Sequence, residues 1–562
     1  MYKKILLMMS AISISLGMVS CSLVGSLTKN SNYEPGAIIN KKNTDDIMDR
    51  GPVKGGTLKL FSTVPNTLNP ILTGNIFVRD FCELIFESMV VLDRSQKPLP
   101  GLAKRWEVSN DGLTWTFYMR ENVLWHDGIP FTSEDVEFTF ETILNPGINS
   151  VYKTNLQNIT TFAAIDRNTF RIVLKKPNSF TPEQMVIPII PKHHFSGEDI
   201  LKSPRSMNPI GTGPYKFQSY KQNENLKLVS NNNWWNAKNP DKNFPDMPYL
   251  AEVEVKIYGS TKEVINSFQA GDVDVASIGV GESGKYRGRT DLILKRYTGN
   301  NFEFVAFNLS KPAFADRSVR QAIAYGVDRL KIINDLLPGE AVVSDIPVIP
   351  GTWLNDSNTM VYALNKDKAR EVLIQNGWRA DREIFYKYVN GIYTPLNFEL
   401  LVNDDNETRC KAADKIAEHL REIGFKVQVK KVKWEDELRY LNTKRYDMAL
   451  LGCNVSSPAD IANLYATPVA AVESNGVPTS NVSGYSNPQV DSYLKDMLKE
   501  FDSGRRKSIF TNLKDTVNND VPYLGLYFYN KSILYNKKLR GDISPHLWNK
   551  FSDVTKWYIP VK

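Results

Sequence analysis

Cysteine is scarce, with four in 562 residues, and histidine hardly commoner at five. Cys21 stands alone near the start. Cys82, Cys410 and Cys453 cannot all pair, and their spacing fits no zinc motif. Inert buried thiols are the default reading, with one disulfide among the three left open. His193-His194 is the most metal-like pair. No third ligand stands at helical or hairpin spacing, where zinc needs three or four, so both are read as loop histidines. Gly-x-Ser-x-Gly and paired Cys–His arrangements are absent. The acidic pairs Glu134-Asp135 and Asp404-Asp405 show no sign of converging, and Asp405 with Asn406 and Glu407 reads as helix-start chemistry. The chain is therefore not read as an enzyme, and no cofactor or metal is called for. There is also no basic stripe. A net charge of +7 is spread over 69 basic and 62 acidic residues, which excludes a nucleic-acid face. No low-complexity block and, past the first twenty residues, no bilayer-length apolar run is present.

What is present begins at the N-terminus. Met1-Tyr-Lys-Lys is a short basic stretch, Ile5 to Val19 an apolar run, and Met18-Val19-Ser20-Cys21 a small-residue end. This is a secretory signal over residues 1–20. The Cys at its end resembles the bacterial lipobox, which implies that Cys21 becomes the first mature residue and carries lipid. Residues 21–52, rich in Ser, Asn, Lys and Gly, read as a flexible tether. The remaining length exceeds the roughly 250–300 residues at which single cores stop growing, so more than one lobe is expected.

Periodicity sketches the rest. Thr57 to Phe61 reads as the first strand and Phe77 to Val90 as a helix. Trp106 to Met119 reads as a hairpin turning at Asn110-Asp111-Gly112, and Phe162 to Leu174 as a second. Thr132 to Asp135 is a capping box. Leu396, Phe398 and Leu400 alternate. Thr408 to Ile423 is amphipathic, with Ala412, Ala413, Ile416, Leu420 and Ile423 on one face. Gly424 ends that helix, and Phe425, Val427 and Val429 alternate again. Strand, helix and strand form a βαβ unit, so this part is α/β. The tail, from Tyr523 to Tyr529 and on to Trp557, reads as strands able to rejoin the first lobe.

Gly279-Val-Gly-Glu-Ser-Gly284-Lys285-Tyr286 matches a phosphate-binding P-loop except at its last position, where Tyr286 replaces the hydroxyl that holds Mg²⁺. The segment after it is a poor helix start, so the stretch is read as a Gly-rich loop. Most of the tryptophans are expected in cores, with a few lining a cleft.

Several blocks occur in one order along the chain: Leu99-Pro-Gly-Leu-Ala-Lys-Arg-Trp106 through Phe117, Arg120 through Asp135, Pro209 to Tyr215, Gly271 to Asp274, Phe307-Asn308, Val319 to Tyr325 with Asp328-Arg329, and Gly484 to Pro488 with Asp491. Together they resemble the family 5 extracellular solute-binding proteins, the oligopeptide, dipeptide and nickel type of ABC-transporter substrate-binding lipoproteins. The resemblance implies an α/β fold, a two-lobed periplasmic-binding-protein-like clamp (type II, large cluster C form) with an inserted subdomain. It implies lobe I over 53–298, with the insertion at about 95–208, lobe II over 299–520 and a C-terminal return to lobe I over 521–562.

The function implied is capture of oligopeptides in the interlobe cleft by hinge closure and delivery to ABC permease subunits in the membrane. A metal chelate, a sugar or a signalling peptide is the alternative cargo. The protein is expected to act as a monomer, exported and held by lipid on Cys21 at the outer face of the cell membrane. The cleft residues carried over are Asn66, Thr67, Leu68 and Asn69 after the first strand; Asn300, Asn301 and Phe302 between the lobes; and Cys453, Asn454, Ser456 and Asp460 in a late loop. Family members usually place Trp where Cys453 stands, and many peptide binders place an Asp for the ligand's amine where Ser456 stands. A neutral hydroxyl is a weaker partner for an ammonium than a carboxylate. Asp460 either takes over that role or caps the helix beginning at Ile461.

Overall fold

The computed structural model describes residues 51–560 apart from 357–359, 382, 457–460 and 469–480. The signal segment, Cys21, nearly all of the tether and Asp460 lie outside the described residues. Alternation makes β1 (Thr57–Thr63), whose Leu58 and Leu60 enter the first core. The helix that follows is shorter than its periodicity predicts: α1 covers only Ile76–Cys82. Beyond it the chain turns its carbonyls to tertiary partners. Leu84 and Ile85 accept from the N–H groups of Tyr215 and Gly213 at 3.0 and 2.9 Å. Gly211 makes this approach possible, because a Cβ there would lie 1.8 Å from the Ile85 oxygen. Backbone satisfied elsewhere need not continue a helix.

Both expected hairpins form. β2 (Ala103–Val108) pairs with β3 (Thr114–Met119), and α2 (Ser133–Leu144) follows. Asp135 completes the capping box, accepting from the Thr132 N–H at 2.9 Å. It also accepts from the Trp125 ring N–H and the Lys192 backbone, which makes it a structural hub. β4 (Ile159–Asp166) and β5 (Thr169–Leu174) complete a sheet in the order β2-β3-β5-β4. His193-His194 lies in a one-turn helix, Lys192–Phe195, rather than the expected loop, with Pro191 as its cap. His193 lies 2.8 Å from Asp127, and His194 3.1 Å from the Asn208 carbonyl.

β6 (Tyr215–Lys221), β7 (Asn225–Ser230) and β8 (Glu252–Tyr258) join β1 in the order β1-β8-β7-β6, with β1 and β8 parallel. α3 (Val264–Ala270) leads to β9 (Val275–Ile278). The loop after β9 is the near-match to a P-loop. Its Gly281 and Ser283 N–H groups donate to the Glu340 carboxylate, Ser283 at 2.9 Å. The nest of backbone donors holds one of the protein's own buried carboxylates, and a nest so filled offers nothing to a phosphate.

β10 (Leu292–Phe307) is sixteen residues long. β11 (Ala341–Val343) follows, and then the βαβ unit: β12 (Asn397–Asn403), α4 (Glu407–Arg421) and β13 (Lys426–Val432), with β12 and β13 parallel. α5 (Trp434–Asn442), β14 (Met448–Asn454), α6 (Ser503–Asp520) and β15 (Tyr523–Asn536) complete the set used below. The large sheet runs β9-β15-β10-β14-β12-β13, with β11 also on β15.

Among the groups of buried side chains, two are large and share the long strands. The first holds Leu58 and Leu60 with Ile533 and Tyr535 of β15 and the tail residues Leu539, Phe551 and Trp557. The second holds Val305 and Phe307 of β10 with Leu400, Ile416, Leu450 and Leu524. β10 and β15 therefore run from one core into the other. A third link is made by Arg506 of α6, which donates to the Ser179 carbonyl at 2.6 Å with its guanidinium 4.5 Å from the Phe180 ring. The fold is a two-lobed α/β clamp. Cys82, Cys410 and Cys453 are all free thiols, which closes the disulfide alternative among them. No helix among the described residues is long and apolar enough to cross a membrane.

Candidate functional site

The predicted residues divide between the surface and the core. After β1, Asn66 is exposed and Thr67 half-buried, whereas Leu68 and Asn69 are buried. Asn69 accepts from the Ile71 N–H at 3.1 Å and holds its own loop together. Phe302 is 1 % exposed and packs against Phe304 and Phe528, with ring centroids 5.7 and 4.9 Å away. Leu68, Asn69 and Phe302 are thus framework rather than contact residues.

The other predictions converge. β10 pairs with β14 in the register Asn301↔Asn454, Phe302↔Cys453 and Glu303↔Gly452. Asn301 donates to the Asn454 side chain at 2.5 Å, and the Val455 N–H donates to the Asn300 carbonyl at 2.8 Å. On its other edge, β10 slips against β15 between Thr298↔Asn530 and Phe302↔Phe528, so β10 carries extra residues there. A bulge bends a strand and re-aims its side chains, and Asn300 and Asn301 lie within this one. Asn454 and Ser456 are exposed. Cys453 is half-buried, and burial, with Glu303 adding to it, pushes its thiol up to about 11; it is not a reactive thiolate.

β14 also offers backbone. β12 pairs with it only at Leu400↔Met448 and Leu401↔Ala449. Past Ala449, the flank of β14 facing away from β10 has no strand partner among the described residues. This is the carboxyl end of the parallel strands β12 and β14, where open α/β sheets bind ligands.

Beneath that edge lies a polar cluster the predictions did not include. Arg409, in the first turn of α4, forms two 2.8 Å hydrogen bonds to the Glu303 carboxylate and one of 2.7 Å to the Asn403 side chain. Asn403 in turn donates to Asp405. Burial pushes the Glu303 carboxyl up, and Arg409 opposes it. Glu437 of α5 is fully buried, and burial raises its carboxyl to about 7, with Arg409 opposing and Asp405 and Glu303 adding repulsion. A Cβ on Gly452 would lie 2.4 Å from both Arg409 and Glu303. The sequence signal for this cluster was the lone acid in the apolar run Phe302 to Phe307.

A separate crevice of about 680 Å³ opens at the ends of β1 and β9, with Phe61, Phe77, Val264 and the Asp80–Lys550 ion pair in its wall. None of the predicted residues lines it. Asn300, Asn301, Cys453 and Asn454 lie together at β10 and β14, away from it.

Comparisons with known proteins agree with this layout. The family described as "Bacterial extracellular solute-binding proteins, family 5 Middle" matches residues 97–471. The chain is 22 % identical over 571 residues to the oligopeptide-binding protein AppA of Bacillus subtilis, covering 99 % of each chain. It is 24 % identical over 448 residues to heme-binding protein A of Haemophilus influenzae, covering 76 % of this chain and 78 % of that one. The solved unliganded open form of MppA, a periplasmic murein tripeptide binding protein, superposes with a TM-score of 0.76 at 21 % identity, covering 91 % of this chain and 99 % of the other. With two thirds of its length inside the family match, this chain belongs to family 5 of the bacterial extracellular solute-binding proteins.

Proposed function

We propose that this protein is the lipid-anchored receptor of an ABC importer and captures oligopeptides between its lobes. The observation that carries the reading is the unpartnered flank of β14 from Leu450 to Asn454, beside the bulge holding Asn300 and Asn301. An extended peptide can add there as a strand, taking main-chain hydrogen bonds irrespective of its sequence. Each buried peptide group left unpaired costs about 1–3 kcal/mol, so a receptor for varied peptides gains most from holding the backbone. Asn66 and Thr67 would meet the ligand from lobe I, and Asn301, Asn454 and Ser456 from lobe II. We assign lobe I to residues 53–298 and 521–562, with the insertion at about 95–208, and lobe II to 299–520. Full-length similarity to an oligopeptide-binding protein supports the reading.

A second reading keeps the clamp and changes the cargo to a non-peptide solute. It is favoured by the similarity to a protein named for heme binding. Native mass spectrometry of the purified protein separates the two. Co-purified peptides of mixed sequence are expected, and a single porphyrin, sugar or metal chelate supports the second reading. Anchoring is tested separately. Cys21→Ser should move the protein from the membrane fraction to the soluble exported fraction, because lipid on Cys21 is the proposed anchor.

A further inference from the structure

The carboxyl end of β12 gathers more negative charge than it neutralises. Glu303 and Glu437 lie about Arg409, and Asp405 is linked to it through Asn403. Arg409 is already committed to Glu303 and to the Asn403 side chain. Neither oxygen of the fully buried Glu437 carboxylate has a hydrogen-bond partner of normal geometry, the Asn403 N–H being the donor that approaches it. Asp405 is exposed, and Asp404 beside it is exposed as well. No cluster among the described residues could hold a metal ion to balance this surplus. The chain of bonds Asp405–Asn403–Arg409 ends against the open edge, since the Arg409 guanidinium lies 2.4 Å from where a Gly452 Cβ would stand.

We infer that Asp405 is a specificity-determining residue of the cleft: it takes a positively charged group of the ligand, an ammonium or a guanidinium, at the free edge of β14, with the buried Glu437 carboxylate behind it. The inference rests on the peptide reading only in placing the ligand along β14. An exposed carboxylate at the end of a fixed hydrogen-bonded chain is pre-oriented, and charge-assisted bonds are roughly twice as strong as neutral ones. Arg409 repels no such group, because Glu303 already neutralises it. A ligand carboxylate at the same place would meet Asp405 and Glu437.

Three pools of short synthetic peptides test this by calorimetry and thermal shift. One has free N-termini and lacks Lys and Arg, one is N-acetylated and lacks them, and one is N-acetylated and contains Lys. The first and third should bind about tenfold or more tighter than the second, and their separate affinities show whether the cation comes from the terminus or from a side chain. Asp405→Asn should abolish the preference. Asp405→Glu, which keeps the charge, should retain it. Glu437→Gln should reduce it a fewfold. Equal binding of all three pools overturns the inference and leaves the peptide reading standing, and so does a preference that survives in an Asp405→Asn variant of unchanged melting temperature. If no pool binds, the peptide reading fails and this inference fails with it.

Discussion

Gly452 has no side chain because two others occupy the space one would need. A methyl group there would meet Arg409 and Glu303 at 2.4 Å, so Gly452→Ala must push the pair apart or bend β14. Overpacking of this kind costs about 1–3 kcal/mol. Urea unfolding of the variant should show a lower midpoint with an unchanged slope, because the surface exposed on unfolding is the same. Glu437 makes a different prediction. Its carboxyl titrates near 7 in the fold against an ordinary 4.5, so ionisation is penalised in the native state. The wild type should lose stability as pH rises from about 4.5 to 7, at about 1.4 kcal/mol per unit of difference between the two states. Glu437→Gln removes that slope, and its stability advantage should grow between pH 5 and pH 8 by about 1–3 kcal/mol. An advantage that does not change with pH would show that Glu437 ionises in the fold as readily as in the unfolded chain. The sequence carries a signal for Glu303, an acid among Phe302, Phe304 and Phe307, that was not read as part of a site. It did not announce the partner, because Arg409 lies 106 positions further on and no local period links the two.

At the scale of elements, reading succeeded where local rules govern and failed where tertiary pairing does. The β12–α4–β13 unit was legible because each piece has a clean period and Gly424 ends the helix with φ +93°. Both hairpins were legible from their turns. The helix expected to reach Val90 stopped at Cys82 because the Leu84 and Ile85 carbonyls found partners in the distant segment around Gly213. The bulge in β10 was invisible, since nothing in Gly299-Asn300-Asn301 shows how the strand will register against one that begins more than two hundred residues later. From Thr298 to Phe302 the strand advances four positions while β15 advances two. Deleting Asn300 and Asn301 together should therefore restore a continuous ladder with every remaining side chain on its original face, since facing repeats every two residues. The expected outcome is a folded protein by circular dichroism that has lost peptide affinity. Retained affinity would show that the bulge is not part of the site.

At the scale of the whole molecule, two long strands connect the cores. β10 and β15 cross between the cores, and Arg506 docks onto the Ser179–Phe180 segment, whose Phe180 packs in a further core with Phe302 and Leu513. The first core is closed by a tail that brings the fully buried Trp557 back against Tyr535. Clamps of this fold class close by rotation of one lobe against the other about the segments that connect them. The ligand supplies the bias by touching both lobes only when they approach, and it shifts the population only by the difference in its affinity for the two forms. Saturating peptide should thus have two linked effects. The radius of gyration from small-angle X-ray scattering should fall as Asn66 and Thr67 approach Asn301 and Asn454, and stability should rise by about 2.7 kcal/mol when peptide stands at a hundred times its dissociation constant. Cys residues placed at Asn66 and Asn454 would test the geometry directly, since a bond between them requires their Cα atoms to come within about 7 Å. Ligand should accelerate their cross-linking. If peptide raises the melting temperature while scattering and cross-linking stay unchanged, binding occurs on one lobe and the clamp does not close.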